Sequence, residues 1–167
     1  MTCSRTIRFV ALLLILACTA GCDQATKHVA RRELSRTGPI PGSVLQFTLA
    51  ENPGAFLNLG ATLPSATRTA LAAALGIGLS VLLVTLVRCR QLRWTSFLGL
   101  ALISAGGLSN LIDRIFQHGL VTDFIILRLG PLHTGIFNLA DSAVLLGMAF
   151  LIGASLARDH RDSATSP

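Results

Sequence analysis

The stretch WTSFLGLALISAGGLSNLI, from Trp94 to Ile112, contains no charged residue, and Asp113-Arg114 follows it directly. An uncharged apolar run of about 17–25 residues matches, as an α-helix, the thickness of the bilayer hydrocarbon. Thr69–Val87 is a second uncharged run, and Ile136–Leu156 is a third whose only charge is Asp141. Near the N-terminus, Phe9–Cys22 is apolar until Asp23 interrupts it. That segment reads either as the hydrophobic region of a secretory signal or as a helix whose last turns carry polar residues. The 167-residue chain is 51% hydrophobic, with a mean hydropathy of +0.65. Such a balance is too apolar for an ordinary soluble domain.

The expected fold is an all-α membrane protein, a four-transmembrane-helix bundle in a single integral membrane domain, with a small periplasmic β-cradle. The helices are expected at about 7–30, 67–87, 94–113 and 136–156. Between the first two, Gly38-Pro39-Ile40-Pro41-Gly42 is a turn cluster, and Ser43–Leu49 is an alternating β-prone run. A second turn, Asn52-Pro53-Gly54, leads into Ala55–Gly60, giving a β-rich segment over roughly 38–62. The connection 113–135 carries another β-like run, Val121–Leu127. The polar tail from about 160 to 167 is expected to be disordered.

The net charge of +6 comes from thirteen arginines and one lysine, Lys27, against eight acids. A basic balance often signals nucleic acid, but these arginines flank apolar runs and form no patch, so no nucleic-acid partner is expected. They suit lipid headgroups instead. Arg88, Arg90 and Arg93 crowd the short hairpin between the second and third runs. Basic residues in a short loop fix that loop in the cytoplasm. Both termini then lie in the cytoplasm too, and the segments 31–66 and 113–135 face the periplasm. The four cysteines have no metal-like spacing, the four histidines are dispersed, and no disulfide, metal or cofactor is expected. His118 and His133 read as surface residues.

Four of the eight acids, Asp23, Asp113, Asp123 and Asp141, lie in or beside the apolar runs. A carboxylate near hydrocarbon costs several kcal/mol unless it is paired, hydrated or protonated. Two that converge can hold one proton between them, the signature of an aspartyl active site. Asp23 and Lys27 are four residues apart and share a helix face. Asn110, Asp113 and Arg114 cluster at the end of the third run, and Asn138 and Asp141 at the start of the fourth. Taken singly, Asp113–Arg114 reads as an ion pair at a helix terminus and Gly106-Gly107 as close helix packing. Asp141, with no cation beside it in sequence, reads as functional.

In order, these pieces resemble lipoprotein signal peptidase, the type II signal peptidase of bacteria. The resemblance rests on Asp23-Gln24-Ala25-Thr26-Lys27, Asn52-Pro53-Gly54-Ala55-Phe56, Ser109-Asn110-Leu111-Ile112-Asp113-Arg114, Val121-Thr122-Asp123-Phe124 and Phe137-Asn138-Leu139-Ala140-Asp141. It covers about Asp23 to Leu156. Ser109 stands where the family usually has Gly, a change expected to tighten local packing. The segment after Gly54 is shorter than the family's common form, and the Asp113-to-Asp123 spacing is longer.

The resemblance implies an aspartyl dyad of Asp123 and Asp141 that works without metal or cofactor. It implies that Asn52, Gly54, Asn110, Arg114 and Asn138 line the substrate site, with Asp23, Lys27 and Asp113 as structural support. The implied activity is removal of signal peptides from diacylglyceryl-modified prolipoproteins, on the amino side of the lipidated cysteine. The enzyme is expected to be a monomer in the bacterial inner membrane, its partners being those substrates and membrane lipid, and globomycin is the family's expected inhibitor.

Four rival readings stand beside this one. Thr19-Ala20-Gly21-Cys22 resembles a lipobox, so the chain could itself be a lipoprotein. A magnesium-dependent lipid transferase could use Asp113, Asp123 and Asp141. Buried acids could serve a proton or ion carrier. Lys27 could act as the base of a Ser/Lys protease.

Overall fold

The apolar runs form four helices: α1 (Arg5–Thr37), α2 (Ser65–Arg88), α3 (Trp94–Phe116) and α4 (Leu139–Ala164). All four are long and apolar enough to cross a membrane. Three strands, β1 (Leu45–Asn52), β2 (Val121–Leu129) and β3 (Leu132–His133), form an antiparallel sheet in the order β1-β2-β3. The computed structural model describes residues 5–42, 44–54, 60–88 and 92–164, excepting the side chains of 158–164. Most of the expected Ala55–Gly60 segment, and the centre of the Arg88–Arg93 hairpin, lie outside the described residues.

Helix α3 is the hub and packs against the other three. Glycines set its closest approach, to α4. A Cβ on Gly106 would collide with the Ala140 carbonyl oxygen, and one on Gly99 would lie 2.7 Å from the Gly147 oxygen. Small residues let helices meet closely in lipid, where association rests on van der Waals packing. Gly107 faces Leu79 of α2, so the Gly106-Gly107 pair does serve helix packing, once toward each neighbour. Outward, Leu14, Ile77, Val81 and Ile152 are exposed, as lipid-facing side chains are.

The two ends of the bundle differ. At one end Leu12, Leu86, Phe97 and Ala101 form a buried cluster. There the Arg8 guanidinium donates to the Leu92 carbonyl at 2.6 Å and lies 5.5 Å and 5.6 Å from the Trp94 and Phe97 ring centres. The start of α1 and the α2–α3 connection therefore share one end, and the sheet occupies the other.

Helix α1 runs well past the expected end near residue 30. Hydropathy marks where the chain leaves lipid, not where the helix stops. No Gly or Pro occurs after Gly21 until Gly38, whose φ of 74° closes the helix while its N–H donates to the Leu34 carbonyl at 3.0 Å. At about 1.5 Å per residue the 33-residue helix is about 50 Å long, well beyond the roughly 30 Å of hydrocarbon. Ala30 and Leu34 on the overrun pack against Phe124 and Ile125 of β2, which seats the sheet. At the other terminus α4 stays helical through Ala164, into the tail expected to be disordered.

A bulge in β1 decides which side chains reach the centre. Phe47 pairs with Ile125, but after the register shift Ala50 pairs with Asp123 and Asn52 with Val121. The extra residue exchanges the two faces of β1, because side chains alternate along a strand. Asn52 thus joins the face that carries Asp123.

Candidate active site

Asp123 lies on β2 and is almost fully buried. Asn52 ends β1, and its side chain is held at both ends. Its Oδ1 accepts from the Gly54 N–H at 2.8 Å, and its Nδ2 donates to Asp123 Oδ2 at 2.8 Å. The other Asp123 oxygen accepts from Asn138 Nδ2 at 2.6 Å.

Asn138 reaches that position because Phe137 is stitched to β2. The Phe137 N–H donates to Ile125 O, and its carbonyl accepts from Phe124 N and Ile125 N. Asn138 then caps α4. Its Oδ1 accepts from the Asp141 N–H at 2.9 Å, while Asp141 Oδ2 accepts from the Asn138 N–H at 3.2 Å. This is a capping box with aspartate in the acidic position, satisfying two backbone donors reciprocally. It also explains why α4 begins at Leu139 and not near 136.

Asn110 of α3 completes the ring. Its Nδ2 donates to Asp141 Oδ1 at 3.0 Å, and its Oδ1 accepts from Lys27 Nζ at 2.8 Å and Asn138 Nδ2 at 3.2 Å. Two amide side chains thus stand between the two carboxylates, and each carboxylate oxygen receives an N–H.

Beneath the ring is a buried charge cluster. Lys27, with no solvent exposure, pairs with Asp23 at 2.7 Å and with Asp113 at 3.0 Å. Asp23 also accepts from Ser109 Oγ at 2.7 Å and from the Ala140 N–H in the first turn of α4 at 2.8 Å. Asp113 accepts from Gln24 Nε2 at 2.9 Å and from the Thr122 N–H at 3.1 Å. A cluster satisfied in this way is tolerated in low dielectric, whereas losing one partner costs about 3–5 kcal/mol. With its donors on Asp23, Asp113 and Asn110, Lys27 is a charged structural centre and not the free amine that a Ser/Lys protease needs.

Adjacent residues on a helix point in different directions, so Asp113 turns to Lys27 and not to Arg114, against the reading as a local ion pair. Arg114 instead donates to Gly54 O at 2.6 Å and Asn110 O at 3.2 Å, binding the β1 turn to α3. It borders a cleft of about 570 Å³ between α2 and α3, lined also by Pro53, Arg68, Ala72, Gly76 and Leu111.

Burial pushes the Asp123 carboxyl up to about 6. The Asn52 hydrogen bond opposes that rise, and the nearby negative charge of Asp141 adds to it. Asp123 can therefore carry a proton near neutral pH, as a shared-proton pair requires.

The family model for signal peptidase (SPase) II matches residues 14–157. The chain belongs to the signal peptidase II family. It is 39% identical over 149 residues to the lipoprotein signal peptidase of Teredinibacter turnerae, covering 88% of this chain and 84% of that one. With the lipoprotein signal peptidase of Xylella fastidiosa it shares 37% identity over 159 residues, 93% of each chain. Two solved bacterial membrane enzymes, determined by the in meso method at 2.3 Å and 1.9 Å resolution, share its fold. The first has a TM-score of 0.74 at 25% identity, covering 94% of this chain and 93% of that one. The second has a TM-score of 0.75 at 27% identity, covering 87% and 92%. As a signal peptidase II family member the protein is a peptidase, a hydrolase of the bacterial membrane with several spans.

Residues from all five motifs meet in the structure: Asp123, Asp141, Asn52, Gly54, Asn110, Arg114 and Asn138 form one network, with Asp23, Lys27 and Asp113 directly beneath. Sequence reasoning gave no role to Gln24 or Thr122, although both lie inside quoted motifs. Gln24 also donates to Ser109 Oγ at 3.0 Å, and the Thr122 hydroxyl accepts from Arg31 at 2.7 Å. Ser109 does more than tighten packing, since its hydroxyl is part of the Asp23 cluster. His118 and His133 are exposed, as expected. Cys22 lies on the exposed face of a helix that continues to Thr37, while Cys3 and Cys89 fall outside the described residues.

Proposed function

We propose that the protein is an aspartyl endopeptidase that removes signal peptides from diacylglyceryl-modified prolipoproteins, cleaving on the amino side of the lipidated cysteine. The observation that carries this reading is the double role of Asn138. Its side chain donates to Asp123 and its backbone N–H to Asp141, so one residue fixes both carboxylates about one point. The names of the relatives support the substrate class.

In the proposed reaction a water molecule lies between the two aspartates. The ionised carboxylate takes a proton from the water, whose oxygen adds to the scissile carbonyl carbon. The protonated carboxyl donates its proton to the carbonyl oxygen, giving a tetrahedral diol. A proton then passes to the amide nitrogen, the C–N bond breaks, and the signal peptide leaves with a new carboxylate. The lipidated cysteine keeps a new α-amino group. Desolvation and mutual repulsion keep one carboxyl protonated while the other is charged, and the pair titrates as a unit.

The remaining site residues have roles that suit this chemistry. Asn52, Asn110 and Asn138 orient the dyad, and Gly54 with Arg114 forms the wall along which the peptide lies. The cleft between α2 and α3 opens beside Arg114 toward lipid, where the substrate's acyl chains fit without leaving the membrane. Asp23, Lys27 and Asp113 hold the floor. We infer an enzyme that works as a monomer in the inner membrane, with both termini cytoplasmic and the sheet in the periplasm. The arginine-rich α2–α3 hairpin lies at the end opposite the sheet, which supports that orientation.

The test is cleavage of a precursor peptide carrying a diacylglyceryl cysteine, followed by mass spectrometry. The reading requires a product that begins at the lipidated cysteine, suppression by globomycin, and no cleavage of the unmodified precursor. Cleavage at another bond contradicts it.

A further inference from the structure

A primary amide can present either its oxygen or its nitrogen to a neighbour, and Asn110 faces Asp141 with its nitrogen. Rotating the amide by half a turn would put its oxygen against the carboxylate. An ionised carboxylate accepts hydrogen bonds only, so it repels that oxygen, whereas a protonated one could donate to it. The orientation of Asn110 is therefore tied to which form of Asp141 the site favours. The orientation is set on the far side of Asn110, where Oδ1 meets the Lys27 ammonium at 2.8 Å. An ammonium only donates, so it must meet the oxygen. Lys27 cannot swing away, because Asp23 and Asp113 hold it at 2.7 Å and 3.0 Å.

We infer that Lys27 is a positioning residue that acts through Asn110: it locks the amide as a donor to Asp141 and so keeps Asp141 as the carboxylate that takes the proton from water. The proton of the pair then falls to Asp123, whose carboxyl is raised by burial to about 6 against the opposing hydrogen bonds from Asn52 and Asn138. The inference rests on the dyad reading and goes beyond it by assigning the two roles and naming what sets them. Asn110 changes meaning as well. Its oxygen is engaged by Lys27 and Asn138 and its nitrogen by Asp141, so it is a relay within the protein and not a substrate contact. The charged groups around Asp141 are Lys27 and Asp23 from α1, Arg114 from α3 and Asp123 from β2, with Asp113 paired to Lys27 below. Of these only Lys27 donates to Asn110 Oδ1.

A double-mutant cycle separates positioning from bulk structure. Lys27→Met, Asn110→Ala and the double variant are purified in detergent and assayed on the diacylglyceryl precursor. Each single change should lower kcat by about tenfold or more while leaving KM within about twofold, the pattern of an interaction made only in the transition state. The double variant should be no slower than the slower single one, within about twofold, because both changes break the same relay. If Lys27→Met fails to fold, Lys27→Met/Asp113→Asn, which removes the cation together with one counter-charge, takes its place. Multiplying losses, or a loss confined to KM, would overturn the inference. Failure of the dyad reading would look different: activity would survive Asp123→Asn or Asp141→Asn.

Discussion

Asn138 and Asp141 hydrogen-bond each other twice, each side chain accepting from the other's backbone N–H, at 2.9 Å and 3.2 Å. The capping box that starts α4 is thus also what orients one carboxylate of the proposed dyad. Folding and the proposed catalysis would then depend on the same pair of bonds. Replacing Asn138 should separate the two. Asn138→Ala loses the cap and the side-chain donations to Asp123, Asn110 and the Thr122 carbonyl, with an expected cost of about 1 kcal/mol for the cap and a roughly 100-fold or greater loss of kcat. Asn138→Ser keeps an oxygen that can cap α4 but offers no amide N–H to Asp123. Thermal unfolding in detergent should show the Ser variant nearer the parent than the Ala variant, with cleavage lost in both.

The pH dependence should report Asp123. Its carboxyl is raised to about 6, chiefly by burial, and the active form needs one proton on the pair. The kcat/KM of the free enzyme should therefore fall as pH rises through about that value. The corresponding limb of kcat should lie higher, because a bound substrate removes more water from Asp123 and disfavours its charge further. The Asn52 hydrogen bond holds the carboxyl down, so Asn52→Ala should move the alkaline limb upward. A limb that stays in place or moves down contradicts the assignment.

Close packing of α3 on α4 sets the depth of the site. Gly106→Ala places a methyl group against the Ala140 backbone, one residue before Asp141, where only a backbone shift can relieve it. The expected cost is about 1–3 kcal/mol, with reduced kcat. Gly153→Ala, on the same α4 helix with nothing within 4 Å of the added carbon, should leave both melting temperature and cleavage rate near the parent's.

Chelation separates the proposed mechanism from the magnesium-dependent reading. Among the described residues no three of His, Cys, Asp and Glu are grouped to hold a metal ion. The oxygens of Asp123 and Asp141 accept from amide N–H groups, as carboxylates do in an acid–base pair. Cleavage of the lipidated precursor should be unchanged by millimolar EDTA. Loss of cleavage, restored by magnesium, would favour the metal reading.

Much of this arrangement was legible in the sequence because the bilayer constrains it so strongly. Uncharged runs such as Trp94–Ile112 must span as helices, and acids beside them must be grouped. The spacing of Asp23 to Lys27 foretold their pairing. Three things escaped. The overrun of α1 was hidden because hydropathy does not record helix continuation into water, and only Gly38 marks the end. The bulge between Phe47 and Ala50 was invisible, since an extra residue in a ladder leaves no trace in an alternating pattern. The partner of Asp113 was misread because neighbours in sequence suggest pairing, whereas Lys27, on another helix, is its neighbour in space. The same blindness to cross-helix contacts concealed Gln24, Ser109 and Thr122.

The central claim is that Asp123 and Asp141 act together, and the most direct measurement is the cleavage rate of Asp123→Asn and Asp141→Asn on the diacylglyceryl precursor. Each variant should insert in the membrane, purify as a folded protein and give no detectable product. Cleavage by either folded variant at the parental rate would contradict the account.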